Sequence, residues 1–292
     1  MTQKSTFRFK ERAESERIAK RMARAGLCSR REAESWIADG RVYVNGNRLD
    51  TPATIVGADD VIHVDGKPLP SAEGTRLWRY YKPRGLVVSA RDEQGRETIF
   101  DHLPENLPRV ITVGRLDLDS EGLLLLTNDG ELARHLELPA TGWLRKYRVR
   151  VQGRVNEEEL AELADGITID GIHYDSLLAR LDKQLNSNAW LTIAIREGKN
   201  REIRRVMEAL GYRVSRLIRL SYGPFQLGNM EEGSVSEVKS GALMDQLGLT
   251  DPVEQKPTLS LGRDKAKGRP HGRRPKPAGQ PRRPRPGNRT KS

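Results

Sequence analysis

The sequence predicts an α+β protein: a small unit of two helices and a little sheet, then a larger unit whose mixed, mainly antiparallel sheet carries packed helices, then a basic tail. Three observations predict it. Helix-period and strand-period segments follow one another irregularly, with hairpin turns between, and not as strict βαβ repeats. The 292 residues, 36% hydrophobic and 31% charged, suffice for two modest cores but are too charged for one large one. The charge is also uneven. Residues 256–292 carry 13 Lys and Arg against one acid, Asp264, a surplus of 12; the whole chain is +11, so residues 1–255 sum to −1.

Residues 1–16 are polar and weakly patterned, and a flexible N-terminus is expected there. A helix fits RIAKRMARAG: Arg17, Lys20, Arg21 and Arg24 recur at i, i+3, i+4 and i+7 on one face, while Ile18, Met22 and Ala25 form another. Gly26 stops it. Ser29 with Glu32 three residues on is a capping box for a second helix carrying Ala33, Trp36 and Ile37. VYVNGNRL then reads as a tight hairpin about Asn45-Gly46, and VIHVDG as a further strand. This small domain spans residues 17–66, and residues 67–75, rich in Pro, Ser and Gly, read as a linker.

The larger domain spans residues 76–248. LWRYY, VITVG, LLLLT, KYRVRV, ITID and AWLTIAI are strand candidates; helices are expected near residues 130–136, 156–164 and 200–210, the second capped by Asn156. Residues 249–292 are dominated by Pro, Gly, Lys and Arg, cannot offset their ordering entropy by burial, and are expected to be disordered. Such a tail suits an electrostatic arm for RNA, or simply a solubilising segment.

Composition also excludes some chemistry. Cys28 is the only cysteine, so no disulfide forms within the chain, and it reads as a small packing residue. The five histidines never fall at metal-ligand spacing, so no metal is expected. No stretch resembles a signal peptide or a membrane span, and a soluble, cytoplasmic protein with no membrane partner is expected.

One motif stands out. GRLDLDSEGLLLLTNDG holds three aspartates around a leucine run that fits a strand buried on both faces, which puts Asp117 on the loop entering a central strand. Asp119 can bond within its own turn, and Asp129 precedes glycine in a tight turn. Asp117 taken alone could be a turn residue too.

The S4 RNA-binding domain is what residues 17–66 resemble, through the basic first helix, the SRREAE start of the second and the GRVYVNG hairpin. The resemblance implies that Arg17, Lys20, Arg21, Arg24, Arg30 and Arg31 face structured RNA; each one alone could equally be a solvated surface charge. The central motif closely resembles that of a group of ribosomal RNA pseudouridine synthases, the one that joins the A-type enzymes for small-subunit RNA with the B-type enzymes for large-subunit RNA. Agreement continues through YYKPRG, KYRVRV, EGKNREIRRVMEALG and VSRLIRLSYGPFQL, covering nearly all of residues 17–230 in the family's order. The S4 front, the YYKP strand and the basic extension make the likeness closest to the B-type, large-subunit enzymes.

That resemblance implies isomerisation of a uridine to pseudouridine in ribosomal RNA, in the 23S large-subunit RNA by closest likeness, by a monomer that uses no cofactor. The base leaves C1′, turns and rejoins through C5, so nothing is added or removed. Asp117 is the implied catalytic aspartate; attack at C1′, addition at C6 and removal of the 2′ proton are the routes open to it, each using its ionised form. Arg204 is implied as its partner, although helical spacing alone would also allow a surface pair with Glu208. Tyr147 would stack on the displaced uracil, or merely complete the core. Arg115 would fill the space left by a flipped base, or contact phosphate. Lys82, Arg84, Lys199 and Arg201 are expected to contact backbone phosphate.

Three rival readings compete. A catalytically silent rRNA-binding assembly factor would retain the S4 unit and the basic arm, but Asp117, Tyr147 and Arg204 are all present. A methyltransferase would need a glycine-rich cofactor turn, and the glycines form no convincing G-x-G-x-x-G. A glycosidase would need opposed carboxylates, which residues 117 and 119 do not suggest.

Overall fold

The computed structural model describes residues 15–138 and 141–247. The chain divides at Glu254, and every described residue belongs to the first part. The predicted basic tail therefore lies outside the described residues.

The N-terminal unit forms around α1 (Ile18–Arg24) and α2 (Arg30–Ala38). Before α1 comes β1 (Ser15–Arg17), so regular structure begins ahead of the expected helix, and Arg17 is extended at the helix N-cap. Ser29 and Glu32 form the expected reciprocal cap on α2. Strands β2 (Val42–Val44) and β3 (Asn47–Arg48) are joined at Asn45-Gly46, where both residues take positive φ (52° and 81°), as a tight hairpin turn demands. β1 pairs with β4 (Ile55–Gly57), and β5 (Ile62–Val64) lies between β2 and β6 (Lys67–Pro68). The sheet thus runs two residues into the expected linker. Ile18, Met22, Ala33, Ile37, Val42 and Cys28 meet in its core, and burial pushes the Cys28 thiol up to about 11, which fits an inert packing role.

The larger unit is built on one mixed sheet. β7 (Leu77–Lys82), β8 (Ile111–Val113) and β9 (Glu121–Thr127) come first, then α3 (Gly130–Glu137) and β10 (Arg145–Gln152). They are followed by α4 (Glu157–Glu162), a separate two-stranded hairpin of β11 (Ile167–Ile169) and β12 (Ile172–Tyr174), then β13 (Leu178–Gln184) and β14 (Asn188–Ile195). α5 (Glu202–Ala209), β15 (Val214–Tyr222), β16 (Phe225–Gln226), β17 (Val235–Glu237) and α6 (Ser240–Leu247) complete it. The order across the sheet is β13-β14-β10-β15-β9-β7-β17. Among the described strand pairs of this sheet only β9–β15 is parallel.

Every residue of β9 is buried, as a leucine run with both faces covered requires. Leu124 and Leu126 join the core beneath α5, and Leu123 and Leu125 the one beneath α3 and α6. In β10 burial alternates with the sequence, Tyr147, Val149 and Val151 inward, Lys146 and Arg148 outward. Two aspartates do something other than expected. Asp129, expected only as a turn residue, is the N-cap of α3, accepting from the Glu131 and Leu132 amides, and Gly130 opens the helix expected near residues 130–136. Asp119, expected to bond its own turn, turns its carboxylate to two arginines. Strands β4, β12, β13, β15, β16 and β17 and helix α6 were not anticipated as elements.

Candidate active site

The loop at residues 117–120 joins β8 to β9 and is tied down along its backbone. The Ser120 amide bonds the Asp117 carbonyl at 3.0 Å, closing a turn. The next three carbonyls are each taken from a different direction: Leu118 O by the Gly85 amide (2.8 Å), Asp119 O by Arg204 Nη2 (3.1 Å) and Ser120 O by Lys82 Nζ (2.9 Å). Two of these donors belong to the YYKPRG segment and one to the NREIRR helix. Two of the motifs quoted from the sequence, YYKPRG and NREIRR, therefore converge on one loop and fix the backbone under Asp117.

Around the carboxylates the charges form a chain. Arg201 Nη1 lies 3.7 Å from Asp117 Oδ2 and 3.4 Å from Asp119 Oδ1, and Arg204 Nη2 lies 3.3 Å from Asp119 Oδ2. The expected Asp117–Arg204 pair is thus corrected: Arg204 pairs with Asp119, and Arg201 is the guanidinium that reaches Asp117. The reason is position on α5. Arg204 is buried, and its Nη1 also donates to Val214 O at 3.2 Å, which draws the fork below the loop. Arg201 sits at the mouth, at the N-cap of α5, with a left-handed φ of 52°. A surface pair between Arg204 and Glu208 does not form. Burial lowers the Arg204 guanidinium from its ordinary value; Asp119 and, more weakly, Asp117 act against that shift.

Lys82 is a second correction. Expected at a phosphate, it is wholly buried, with Nζ donating to Pro83 O (2.8 Å) as well as Ser120 O. Burial pulls its ammonium down to about 8, opposed chiefly by Asp117 and then Asp119. It acts on the loop from within. Arg201, also expected at a phosphate, faces the carboxylates; Lys199 pairs with Glu197 and lies 5.7 Å from the Tyr174 ring centre. Arg84 and Arg115 are exposed near the loop.

Tyr147 is buried at 7% exposure, on the sheet face that carries α5, and its hydroxyl has no hydrogen bond among the described residues. The helix that bears Arg204 also contains Glu202, which sequence reasoning passed over. Its Oε2 accepts from the Lys199 amide at 2.8 Å, its Oε1 is buried without a partner, and burial pushes its carboxyl up to about 7. Arg145 anchors the same segment from the sheet, donating to the carbonyls of Arg196 (2.9 Å) and Glu197 (2.8 Å). The role of Asp119 was missed as well. The three-residue spacing of Arg201 and Arg204 puts them near one another at the start of α5 but does not name their acceptor.

In the N-terminal unit the expected basic face is partly occupied. Buried Glu16 pairs with Arg21 at 2.8 Å and with Arg24, and Lys20 lies between Glu16 and Glu131 of α3. Arg17, Arg30 and Arg31 remain exposed. No group of His, Cys, Asp and Glu among the described residues could hold a metal ion, and no helix among them is long and apolar enough to cross a membrane.

A small α+β unit with exposed Arg17, Arg30 and Arg31 precedes a mixed sheet with an aspartate loop at its centre. Comparison with known proteins places this arrangement in a family. The RNA pseudouridylate synthase family model matches residues 76–209, and that of the S4 domain residues 16–62. A Rickettsia felis protein named as an uncharacterized RNA pseudouridine synthase is 45% identical over 228 residues, 78% of this chain and 99% of its own. The ribosomal large subunit pseudouridine synthase B of Pasteurella multocida is 38% identical over 271 residues, 87% of this chain and 76% of its own. A crystal structure of a pseudouridylate synthase superposes with a TM-score of 0.55 at 27% identity, covering 79% of this chain and 99% of that one. The chain therefore belongs to the RNA pseudouridylate synthases, with an S4 domain in front, and is an isomerase acting on RNA.

Proposed function

We propose that the substrate is a uridine of large-subunit (23S) ribosomal RNA and that Asp117 is the carboxylate that acts on it. The observation that carries this is the loop at residues 117–120, where three successive carbonyls are held by three separate donors while the Asp117 side chain stays about one-third exposed. A rigid backbone beneath a reachable acid is what positioning chemistry needs. The choice of 23S RNA is supported by the likeness to the ribosomal large subunit pseudouridine synthases B. Arg201 and Arg204, with Asp119 between them, set the orientation and local charge at Asp117; Tyr147 offers a ring to the extruded base, and Arg115 and Arg84 face the RNA strand. The uracil is both leaving group and returning nucleophile, so the atoms balance without a cofactor.

The test is pseudouridine mapping by carbodiimide labelling and reverse transcription of rRNA from cells with and without the gene. One position should lose its signal without the gene and regain it with the wild-type gene, but not with Asp117→Asn. An unchanged map would sink the assignment and favour the catalytically silent assembly factor.

A further inference from the structure

The alternation that turns Tyr147, Val149 and Val151 toward α5 sends Lys146, Arg148 and Arg150 to the opposite face of the sheet. Strand register extends this row sideways. Arg148 is level with Thr192 and Arg180, and Arg150 with Trp190 and Lys183. Lys146, Arg148 and Lys183 are exposed, and Arg148 lies 4.6 Å above the Trp190 ring. Arg150 keeps a buried Nε with no hydrogen-bond partner.

Two acids of the sheet itself are already engaged, while Glu162 and Asp165, beside the groove residues Ala161 and Ala164 in sequence, stay exposed. Asp182 accepts from Arg180 (2.9 Å) and Thr192 (2.7 Å), and Glu121 holds Arg216 through two bonds of 2.7 and 2.9 Å. Lys146, Arg148, Arg150 and Lys183 have no carboxylate partner among the described residues. Leu178 is the one large exposed apolar side chain in these rows, too little for the apolar centre of a protein interface. Lys146, Arg180 and Thr192 also line a groove against Ala161 and Ala164, which gives the face a wall. Unneutralised cations on adjacent strands about 4.8 Å apart, with an aromatic ring among them, match the charge of a nucleic-acid backbone.

We propose that this outer face binds the phosphate backbone of RNA, as a second contact for a long structured rRNA whose target uridine occupies the site on the other side of the sheet. The strand would pass around the edge at β13, the last in the sheet order. This rests on the rRNA reading above, and it makes a length-dependent demand: a short hairpin can fill the site but cannot reach both faces.

The experiment uses the full chain and a variant carrying Lys146→Ala, Arg148→Ala and Lys183→Ala, with a large-subunit rRNA transcript and a short hairpin excised from it as probes. Wild type should bind the transcript more tightly than the hairpin. The variant should lose about tenfold on the transcript at moderate salt, with the slope of log K against log salt falling by about 2 to 3, while hairpin affinity is unchanged. A Lys183→Glu single variant, at an exposed edge position, guards against loss of fold and should weaken transcript binding in the same direction. Equal binding of the transcript by wild type and variant overturns the proposal, as does an equal loss on both RNAs. Tight, salt-dependent binding of an acidic protein with none of the transcript assigns the face to another partner. Failure to form pseudouridine in rRNA would instead strike the functional reading, and would leave the binding difference standing.

Discussion

Asp117→Asn removes a single charge and little volume, so the loop should hold its shape. Pseudouridine formation should fall by about three orders of magnitude or more while RNA affinity stays within about twofold, as rate and binding assays would show. Arg204→Ala should cost more than charge. It strips donors from Asp119 O and Val214 O as well as from the Asp119 carboxylate, a loss of about 2 kcal/mol or more in denaturant unfolding together with reduced turnover. Lys82 gives a pH signature. Its folded pKa of about 8 lies below the 10.5 of an exposed lysine, so between those values the unfolded state binds more protons, and native stability rises with pH across that window. Thermal unfolding of wild type against Lys82→Met, compared from pH 8 to 10.5, should show wild type gaining on the variant; parallel curves would contradict the buried cation. Asp117 and Arg204 could be picked out in the sequence through the family likeness, but their partners could not. Which of two aspartates two residues apart receives which of two arginines one turn apart is decided by the depth of each side chain under the loop, and no periodicity encodes depth.

At the scale of elements, Gly122 and Glu202 carry the predictions. A Cβ on Gly122 would lie 2.4 Å from Arg219 O, and φ there is +102°. Gly122→Ala should therefore break the close approach of β9 to β15, with a loss of about 3 kcal/mol or more or outright failure to fold. Glu202 at the start of α5 titrates near 7 instead of 4.5, so the folded state holds its proton over that range and stability falls as pH rises through it. Glu202→Gln should be the more stable protein above pH 7, and its advantage should shrink toward pH 4.5. Strands with clean apolar runs or strict alternation, β9 and β10, could be read directly from the residues. β13 (LARLDKQ) and β15 (VSRLIRLSY) could not, because bulges interrupt their registers and arginines occupy inward or central positions. Arg219, 3% exposed, donates to Leu123 O at 2.7 Å and stacks on Tyr222, a burial that only the tertiary partner explains.

For the whole molecule, the charge count makes residues 256–292 the dominant source of long-range attraction to a polyanion. Truncation after Glu254 should weaken RNA binding mainly at low salt and leave the modified position unchanged; a shifted position in the mapping assay would assign the tail a role in site choice. The S4 unit meets the larger one through the ion pair of Lys20 with Glu131.

The parallel junction of β9 with β15 has a consequence for how the enzyme comes into being. Ile218 stands beside Glu121, so a strand made early in synthesis waits for one made nearly a hundred residues later. Until that late strand emerges from the ribosome, an all-leucine segment has an open flank, and the nascent chain is both inactive and liable to self-association. A ribosome that stalls before residue 214 therefore yields no partial enzyme, only a substrate for chaperones and proteases.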